Sequence, residues 1–440
     1  KGKSKFRDAP IAVMVDSDSQ VAEKDEKNNV RLSSDGVEIK PQQGTLEAEV
    51  VWHYGSTSAN PTGETSFGSS ESAVAAPLED TNGDGIIGKG DKATILYVNY
   101  FGKLVAINPE TGKEKWSISG VPTYASPVIS DLDNDGLPDI SIVKSGSISV
   151  YDHTGNLKKS WASSGSSPDY YNEQLVADLD GDGIPEILTN STIGNFSKGR
   201  LIGNIGVGNA LAVADIDGDG FLEIIGTNGV AKYIGGNTPT VTTLFTYPTK
   251  RFAAVADMFG TGKPNVITTG DGYFTIYSNI GEQLARYRLP DGYNGGVATI
   301  ADFDGDGRPD MGVAGGSQYT VMRSDGSIIW SARTQDTSSH VTGSSIFDFN
   351  NDGKFEVVYA DEDYFRVYDA ATGVELYKLV NSSHTALEAP IVVDADADGH
   401  ADIFIVSNRS GGGRAGSTAG LRMISGKNKD WANTRNIWNQ

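Results

Sequence analysis

The sequence predicts an all-β protein, a β-propeller of four-stranded blades, and three observations lead to this prediction. An acidic pattern, Asp-x-Asp-x-Asp-Gly-x-x-Asp/Glu, recurs between short apolar segments. Its copies, one of them degenerate, begin at Asp80, Asp131, Asp178, Asp215, Asp257, Asp302, Asp348 and Asp394, and a period of about forty-five residues suits a propeller blade. The 440-residue chain also contains 54 glycines, which favour short strands joined by tight turns.

Four strands can be assigned within one repeat. In the seventh repeat SSIFDF precedes the acidic loop, EVVYAD follows it, YFRVYDA comes next and ELYKLV closes the unit. Turn signals separate the third and fourth strands of several repeats: ETG at 110–112, HTG at 153–155, SDG at 324–326 and ATG at 371–373. The fourth strand often carries tryptophan, as at Trp116, Trp161 and Trp330. No segment has the apolar period of a long amphipathic helix, so the blades are expected to contain strands alone.

The strand count also predicts how the ring closes. The segment LEAEVVWHYGS, which contains Trp52, resembles a fourth strand but precedes the first acidic motif. We expect this segment to complete the last blade, which removes the exposed edges of an open array. Eight motif positions predict eight blades. Seven is the alternative, because the third repeat is short and its strands after Thr189 are poorly marked.

The domain organisation follows from the repeats. Residues 1–45 lack the repeat and are strongly polar, so we interpret them as a linker or the remnant of a preceding domain. Residues 46–440 are assigned to the propeller, with units that begin near residues 73, 124, 174, 209, 251, 296, 342 and 388.

Composition excludes several classes of protein. The chain has 36 Lys+Arg and 57 Asp+Glu, a net charge of −21, whereas a nucleic-acid binder needs a basic face. No apolar stretch is long enough to span a membrane. Without cysteine, disulfide scaffolds, thiol enzymes and cysteine–zinc sites are impossible.

The spacing of the acidic loop is typical of a calcium site. Ca²⁺ takes six to eight oxygen ligands, and alternate residues of a tight loop can point at one centre. We expect carboxylates or an amide at positions 1, 3 and 5, a backbone carbonyl at position 7 and a carboxylate at position 9. The first loop, with its last ligand at position 12, is closer to an EF-hand. The predicted ligands of these seven sites are Asp80, Asn82, Asp84, Ile86 and Asp91; Asp131, Asp133, Asp135, Leu137 and Asp139; Asp178, Asp180, Asp182, Ile184 and Glu186; Asp215, Asp217, Asp219, Phe221 and Glu223; Asp302, Asp304, Asp306, Arg308 and Asp310; Asp348, Asn350, Asp352, Lys354 and Glu356; and Asp394, Asp396, Asp398, His400 and Asp402.

The fifth repeat is a natural control for this prediction. Phe259, Thr261 and Asn265 replace ligands after Asp257, so we expect no calcium there. Magnesium is a weaker candidate than calcium at the other loops, because it prefers six ligands in strict geometry and keeps its waters.

The repeats resemble the FG-GAP or VCBS repeats of bacterial surface proteins, and they are similar to the calcium-bearing blades of integrin α-subunit propellers. The resemblance covers about residues 73–405 and depends on the DxDxDGxxD/E motifs. It implies a secreted or cell-surface bacterial propeller that is stiffened by calcium. Because the chain begins without Met or a signal peptide and ends in DWANTRNIWNQ, we expect it to be part of a larger exported protein.

A ligand is expected on the face opposite the acidic loops. The segments that link one blade to the next, together with the turns between second and third strands, carry many aromatic residues there, and aromatic rings around a polar mouth would suit a sugar or an extended peptide. The alternative is that most of these rings pack between blades. The ligand-binding candidates are Tyr124, Tyr171, Tyr293, His340, His384, Tyr319 and Tyr364.

The function predicted from these observations is an extracellular binding or adhesion module for a glycan or protein ligand, with no nucleic acid and no membrane insertion. One alternative is a polysaccharide lyase, because some rhamnogalacturonan lyases are eight-bladed propellers with similar loops. His340, Arg323 and Arg333 are the candidates for such chemistry. A second alternative is a quinoprotein-like propeller, since LVAINPETGKEKWSI at 104–118 resembles a Trp-docking repeat.

Overall fold

A computed structural model describes residues 46–55, 65–163, 174–236, 238–336, 338–408 and 418–438, together with two short strands that pair antiparallel, Ala12–Met14 and Val30–Leu32. Apart from this pair, all described strands form eight antiparallel four-stranded sheets around a common axis. The predicted all-β propeller with eight blades is therefore confirmed, and the seven-bladed alternative is wrong. The one helical element in the described residues is a 3-10 turn, Thr65–Phe67.

The strands of the first four blades follow chain order. Blade 1 contains Val74–Pro77, Ala93–Asn99, Lys103–Ile107 and Glu114–Ser119, and blade 2 contains Val128–Ser130, Asp139–Lys144, Ser147–Asp152 and Leu157–Ala162. Blade 3 contains Leu175–Ala177, Glu186–Thr189, Thr192–Asn195 and Arg200–Asn204, and blade 4 contains Ala210–Ala214, Glu223–Gly226, Gly229–Ile234 and Thr240–Thr246. The short third repeat thus has a complete blade.

The remaining blades repeat this pattern. Blade 5 contains Phe252–Ala256, Asn265–Thr269, Tyr273–Tyr277 and Gln283–Arg288, and blade 6 contains Thr299–Ala301, Asp310–Ala314, Gln318–Met322 and Ile328–Arg333. Blade 7 contains Ser344–Phe347, Glu356–Ala360, Tyr364–Asp369 and Glu375–Val380. Blade 8 contains Ile391–Val393, Asp402–Ser407 and Gly420–Gly426, and Ala48–Gly55 is its fourth strand.

Burial within a blade explains the sequence pattern of its strands. The second strands lie between neighbouring blades and are buried on both faces, as in Ala93–Asn99 and Glu356–Ala360. Such strands become continuous apolar runs instead of alternating ones. The fourth strands form the outer edge and alternate, with Gln283–Arg288 mostly exposed or half-buried. The core is therefore a ring of clusters between adjacent blades.

The ring closes through the segment predicted from Trp52. Ala48–Gly55 pairs antiparallel with Gly420–Gly426, so that the two ends of the propeller share blade 8. The Trp52 indole donates to the Pro109 carbonyl of blade 1 at 2.6 Å. This contact joins the last blade to the first.

A second closure lies at the other end of the chain, in the segment we name the C-terminal strap, residues 429–438. Its backbone bonds blade 7 through Ala432 N–H to Phe349 O at 2.8 Å and blade 8 through Ala401 N–H to Ala432 O at 2.9 Å. It pairs with blade 1, where Ala75 and Trp438 exchange N–H···O bonds of 2.6 and 2.7 Å. Sequence reasoning gave this segment no structural role.

Candidate metal sites

Each acidic loop joins the first strand of a blade to the second. Except in blade 1, where it is Thr81, its second residue is apolar and buried in the core, as Leu132, Leu179, Ile216 and Phe303 are. Since successive residues of an extended chain point to opposite sides, this burial turns the acids at positions 1 and 3 away from the core. The position-9 acid is at or near the start of the second strand and is itself buried, as Asp139 and Glu186 show.

A common hydrogen-bond pattern holds the loops in shape. In blade 2, Asp131 Oδ2 accepts Gly136 N–H at 2.9 Å, Asp135 Oδ1 accepts Leu137 N–H at 2.8 Å, and Asp139 Oδ2 accepts Leu132 N–H at 3.1 Å. Gly136 has φ +83°, a conformation that a residue with a Cβ adopts only with strain. Blades 3, 4, 6, 7 and 8 carry the same three bonds. The repeat in sequence is therefore a repeat in conformation.

Among the described residues, five loops bring three carboxylates together, with one oxygen from each within 4.8 Å of the others. The five clusters are Asp131, Asp133 and Asp139; Asp178, Asp180 and Glu186; Asp215, Asp217 and Glu223; Asp302, Asp304 and Asp306; and Asp394, Asp396 and Asp402. Several of the predicted ligands thus converge in blades 2, 3, 4, 6 and 8. Acidic clusters of this kind are able to bind metal ions and are compatible with calcium, which prefers oxygen ligands.

The residues of these clusters fit a cation. Asp133 Oδ1, Asp302 Oδ1 and Asp394 Oδ1 are buried and accept no hydrogen bond within the described part of the chain. A buried carboxylate oxygen without a donor is costly. Burial also raises the pKa of Glu186 to about 7 and that of Asp402 to about 8, because carboxylates that crowd together out of water ionise less readily. A divalent cation would satisfy the oxygens and compensate the charge.

Basic side chains reach three of the clusters: two through lysines that sequence reasoning missed, and the blade 6 cluster through Arg323, which pairs with Asp304. Lys158 Nζ lies 2.7 Å from Asp133 and 2.8 Å from Asp139. Lys232 Nζ lies 3.2 Å from Asp217 and 3.0 Å from Glu223. In the sequence these are lysines on later strands of the same blade, the fourth for Lys158 and the third for Lys232, and only the pairing of strands shows that their side chains reach the loop.

The loops of blades 1 and 7 differ from these five clusters, and both have asparagine at position 3. In blade 1, Asp91 is buried and accepts the N–H groups of Thr81 and Asn82 at 2.7 and 3.0 Å. In blade 7, the Asn350 amide lies 3.5 Å from Glu356 Oε1. Burial raises the pKa of Glu356 to about 8. Calcium at Asp80 and Asp348 stays a prediction.

Blade 5 has lost the acidic set. Asp257 accepts Thr261 N–H at 2.9 Å and Gly262 N–H at 2.6 Å, and Asn265 takes the place of the position-9 acid. The backbone shape of the loop thus survives without the other carboxylates. The absence of calcium at Asp257 stays a prediction.

On the opposite face the aromatic candidates separate into different environments. Tyr319 is fully buried and its ring contacts Tyr359 and Tyr368 of blade 7, so it packs between blades as the alternative interpretation expected and does not line the surface. Tyr364 lies beneath Lys378 and Arg366, at 3.9 and 4.9 Å from its ring centre. The rings of Tyr293 and His340 pack against each other in a tilted arrangement, with ring centres 4.3 Å apart. Tyr171 lies outside the described residues.

His340, His384 and Tyr124, which are also ligand-binding candidates, are half-buried. His384 donates its backbone N–H to Glu388 Oε1 at 2.9 Å, and burial lowers the pKa of its imidazole. Tyr124 is half-buried in the link between blades 1 and 2.

Two of the three candidates for lyase chemistry, His340 and Arg323, lie on opposite faces, whereas Arg333 ends the fourth strand of blade 6, next to the link that carries His340. His340 belongs to the link between blades 6 and 7, whereas Arg323 pairs with Asp304 of the acidic loop at 2.5 Å. A base and a charge-neutralising group have to meet in one pocket for proton abstraction beside a uronate. These two residues therefore do not form the catalytic pair that the lyase alternative requires.

The fold and the loops define an eight-bladed β-propeller whose blades carry acidic first loops. A family model described as FG-GAP-like repeat matches residues 131–189, 257–313 and 302–359, so these parts of the propeller carry FG-GAP-like repeats. No curated protein sequence matches the chain significantly.

Solved structures agree on the architecture. The crystal structure of the V. cholerae biofilm matrix protein Bap1 has a TM-score of 0.76 and 19% identity, over 90% of this chain and 94% of that chain. A europium-containing methanol dehydrogenase has a TM-score of 0.53 and 10% identity, over 88% of this chain and 96% of that one. The quinohemoprotein alcohol dehydrogenase from Comamonas testosteroni has a TM-score of 0.51 and 10% identity, over 87% and 78%. At these identities the likeness shows the fold alone.

Proposed function

We propose that this protein is an extracellular, calcium-stabilised β-propeller that acts as a binding or adhesion module for a glycan or protein ligand. One observation carries the proposal: successive blades set carboxylates in the same loop, and some of their buried oxygens accept no hydrogen bond from the described residues. The likeness to a protein named as a biofilm matrix protein supports an extracellular setting. In the described part of the chain, no helix has the length and apolar character of a membrane span.

Calcium would act on the scaffold. In blade 3 the ion would be held by Asp178, Asp180 and Glu186, with Asp182 and the Ile184 carbonyl as the further predicted ligands. The bound cation would supply charge compensation and tie the first loop of the blade to its second strand. Calcium outside cells is abundant enough to fill weak sites. We propose about seven such ions, in all blades except blade 5.

A chelator melt tests the metal claim. Removal of calcium by EDTA followed by dialysis is expected to lower the melting temperature by about 5 °C or more, because binding to the folded state alone stabilises it by mass action. Circular dichroism in calcium and in EDTA gives the measurement. An unchanged melting temperature would contradict the proposal.

Matched variants locate the effect. The double substitution Asp133→Ala and Asp135→Ala removes predicted ligands from blade 2 and is expected to reduce the calcium-dependent gain. Thr261→Ala in blade 5, where the loop shape is kept without the acidic set, should leave that gain intact. An equal calcium-dependent gain in melting temperature for the two variants would show that calcium does not act through the blade 2 loop.

A further inference from the structure

Tyr293 and His340 form an aromatic pair on the face opposite the acidic loops. Tyr293 lies in the link between blades 5 and 6, and His340 lies in the link between blades 6 and 7. Their ring centres are 4.3 Å apart, with 30° between the ring planes. Tyr293 is 46% exposed, whereas the His340 side chain is only 16% exposed. The tyrosine therefore offers a flat ring to solvent, and the histidine supports it.

The pair is held in place by the backbone of blade 6. A Cβ on Gly316 would lie 2.6 Å from the Tyr293 ring and 2.7 Å from His340 Nδ1, so both rings rest on this glycine. Asp291 accepts the Tyr293 N–H at 3.2 Å and the Ser317 N–H at 3.4 Å. The ring is thus ordered before any ligand arrives, which lowers the entropic cost of binding.

The backbone next to the pair is strained. His340 has φ +60° and Thr385, in the link between blades 7 and 8, has φ +54°. For a β-branched residue such as threonine this region is a true outlier, and strain of this kind clusters at functional sites. Thr385 Oγ1 donates to Asp336 Oδ1 at 2.6 Å, and Ser339 donates its hydroxyl to the Thr385 carbonyl. These bonds tie the two linking loops into one surface.

Polar atoms without partners accumulate beside this surface. Asp336 is fully buried, its Oδ2 accepts no hydrogen bond from the described residues, and its Oδ1 lies 3.8 Å from His340 Nδ1. His340 Nδ1 likewise makes no hydrogen bond within the described ranges. Glu388 Oε2, in the same link as Thr385, is also buried and makes no hydrogen bond with the described residues. Unpaired buried polar groups of this kind call for an explanation by water or ligand.

The charged groups whose contacts place them beside His340 are acidic, while Arg288 lies on the Tyr293 side, where a Cβ on Gly292 would be 3.6 Å from its Nη2. The charge of Glu362 disfavours the ionised form of Asp336. The Asp291 carboxylate lies beside Gly315, at 2.0 Å from the position that a Cβ there would take. An acidic ligand would be repelled here, whereas hydroxyl and ammonium groups would donate to the carboxylates. A sugar ring places an apolar C–H face on an aromatic ring and hydroxyl donors at its edge, so that both parts of the surface are used.

We propose that the Tyr293–His340 pair is the stacking platform of a saccharide site that takes a neutral or amino sugar. The proposal rests on the binding function proposed above and narrows it to one face and one ligand class. His340 acts as a positioning residue that supports the tyrosine ring. An extended peptide is the less suited occupant, because the exposed apolar surface is one ring flanked by acids.

Affinity electrophoresis of the whole chain in calcium-containing gels tests the site. The gels carry dextran, galactomannan, glycol chitosan or polygalacturonate as the named probes. We expect the wild-type protein to be retarded by at least one of the first three probes and less by polygalacturonate. Tyr293→Ala should weaken that retardation about tenfold, since it removes the stacking ring.

Phe101→Ala is the matched control. Phe101 lies in the turn between the second and third strands of blade 1, on the same face, and is 45% exposed, so its loss should leave retardation unchanged. His340→Ala should reduce retardation and His340→Phe should restore it, since a supporting ring is all that the role requires. Circular dichroism of each variant separates lost binding from lost folding.

Three outcomes would overturn the proposal: no retardation of the wild-type protein by the neutral and amino probes, wild-type retardation of a folded Tyr293→Ala variant, or stronger retardation by polygalacturonate. The melting experiment with calcium and EDTA tests the metal proposal independently of the saccharide site. A protein that calcium stabilises but that no probe retards would therefore exclude the saccharide site and leave the metal claim standing.

Discussion

Two lysines distinguish the acidic loops at the scale of single residues. Lys158 places its ammonium among three carboxylates of blade 2, and Lys232 does the same in blade 4. Each ammonium lies where a metal ion would bind. Blade 3 has instead the Asn195 amide 3.3 Å from Glu186 Oε1. The position-by-position ligand pattern could be predicted from the motif, because it is local. The lysines could not, because they reach the loop only through strand pairing.

Replacement of a lysine that enters an acidic cluster by an uncharged residue is expected to strengthen metal binding at that cluster. Lys232→Met should raise the calcium affinity of the blade 4 loop about tenfold, because the ion no longer displaces an ammonium. Calcium titration in the presence of a competing chelator measures the affinity. Lys429→Met is the control, since Lys429 is 73% exposed and contacts the single carboxylate of Asp398 at 2.9 Å. An equal gain in both variants would argue against displacement.

Protonation of the clusters predicts a pH dependence for the metal-free protein. Burial raises the pKa of Glu186 to about 7, and the pKa values of Glu356 and Asp402 to about 8. The folded state therefore binds more protons than the unfolded chain, whose carboxyls titrate near pH 4, and stability falls as pH rises from about 4 to about 8. Calcium should suppress this fall, because it favours the ionised carboxylates.

Melting curves at about pH 5 and about pH 8, in EDTA and in calcium, check this expectation. The melting temperature in EDTA should be lower at the higher pH, and the difference between the two pH values should shrink in calcium. A metal-free protein that is more stable at the higher pH would contradict the assigned pKa directions.

At the scale of the strand, one contact recurs between neighbouring blades. An aromatic side chain of a fourth strand packs on the turn glycine between the third and fourth strands of the next blade. The pairs are Trp52 with Gly112, Trp116 with Gly155, Phe245 with Gly281, Tyr287 with Gly326, and Trp330 with Gly373. The tryptophans and the turn glycines are both visible in the sequence, but only the stretch 104–118 suggested that a tryptophan docks on a neighbouring turn. The partners are in different repeats, so only the folded ring shows that they meet.

Loss of one such aromatic should loosen a blade junction. Trp330 is buried, stacks on Tyr319 and donates to the Ala370 carbonyl at 2.6 Å, so Trp330→Ala should cost about 3 kcal/mol or more. Ile328 on the same strand is 48% exposed, and Ile328→Ala should change stability by less than about 0.5 kcal/mol. Denaturant unfolding of both variants gives the comparison, and similar losses would exclude a role for the docking contact.

At the scale of the whole molecule, two segments close the ring. The strand Ala48–Gly55 completes blade 8, and the C-terminal strap bonds blades 7, 8 and 1 in succession. The strap also reaches the acidic loop of blade 1, where the Asn436 amide donates to the carbonyls of Gly88 and Asp91 at 3.0 and 2.7 Å. Its Trp431 is buried against Phe349, with ring centres 4.7 Å apart. The first closure was predicted because a fourth strand lacked its own blade, whereas the strap has no repeat to identify it.

A chain that ends at Asn428 is expected to remain a propeller with a melting temperature lowered by about 5 °C or more, because it loses a buried tryptophan and several inter-blade hydrogen bonds. The substitution Trp431→Ala in the full chain should reproduce part of the loss. Thermal melts followed by circular dichroism provide the measurement. An unchanged melting temperature in the truncated chain would show that the strap adds no stability.

The sequence by itself determined the repeat, the four strands of each blade and the ligand pattern of the acidic loops, and it narrowed the number of blades to eight or seven. These features follow from local periodicity and from turns such as the one at Gly136, so they can be found without knowing which segments meet. Only the tertiary structure decided that the ring has eight blades, that Lys232 enters a cluster, that Tyr319 is buried and that Tyr293 packs on His340. Each of these depends on contacts between separate strands or blades. Such contacts arise when the ring closes, and no local pattern encodes them.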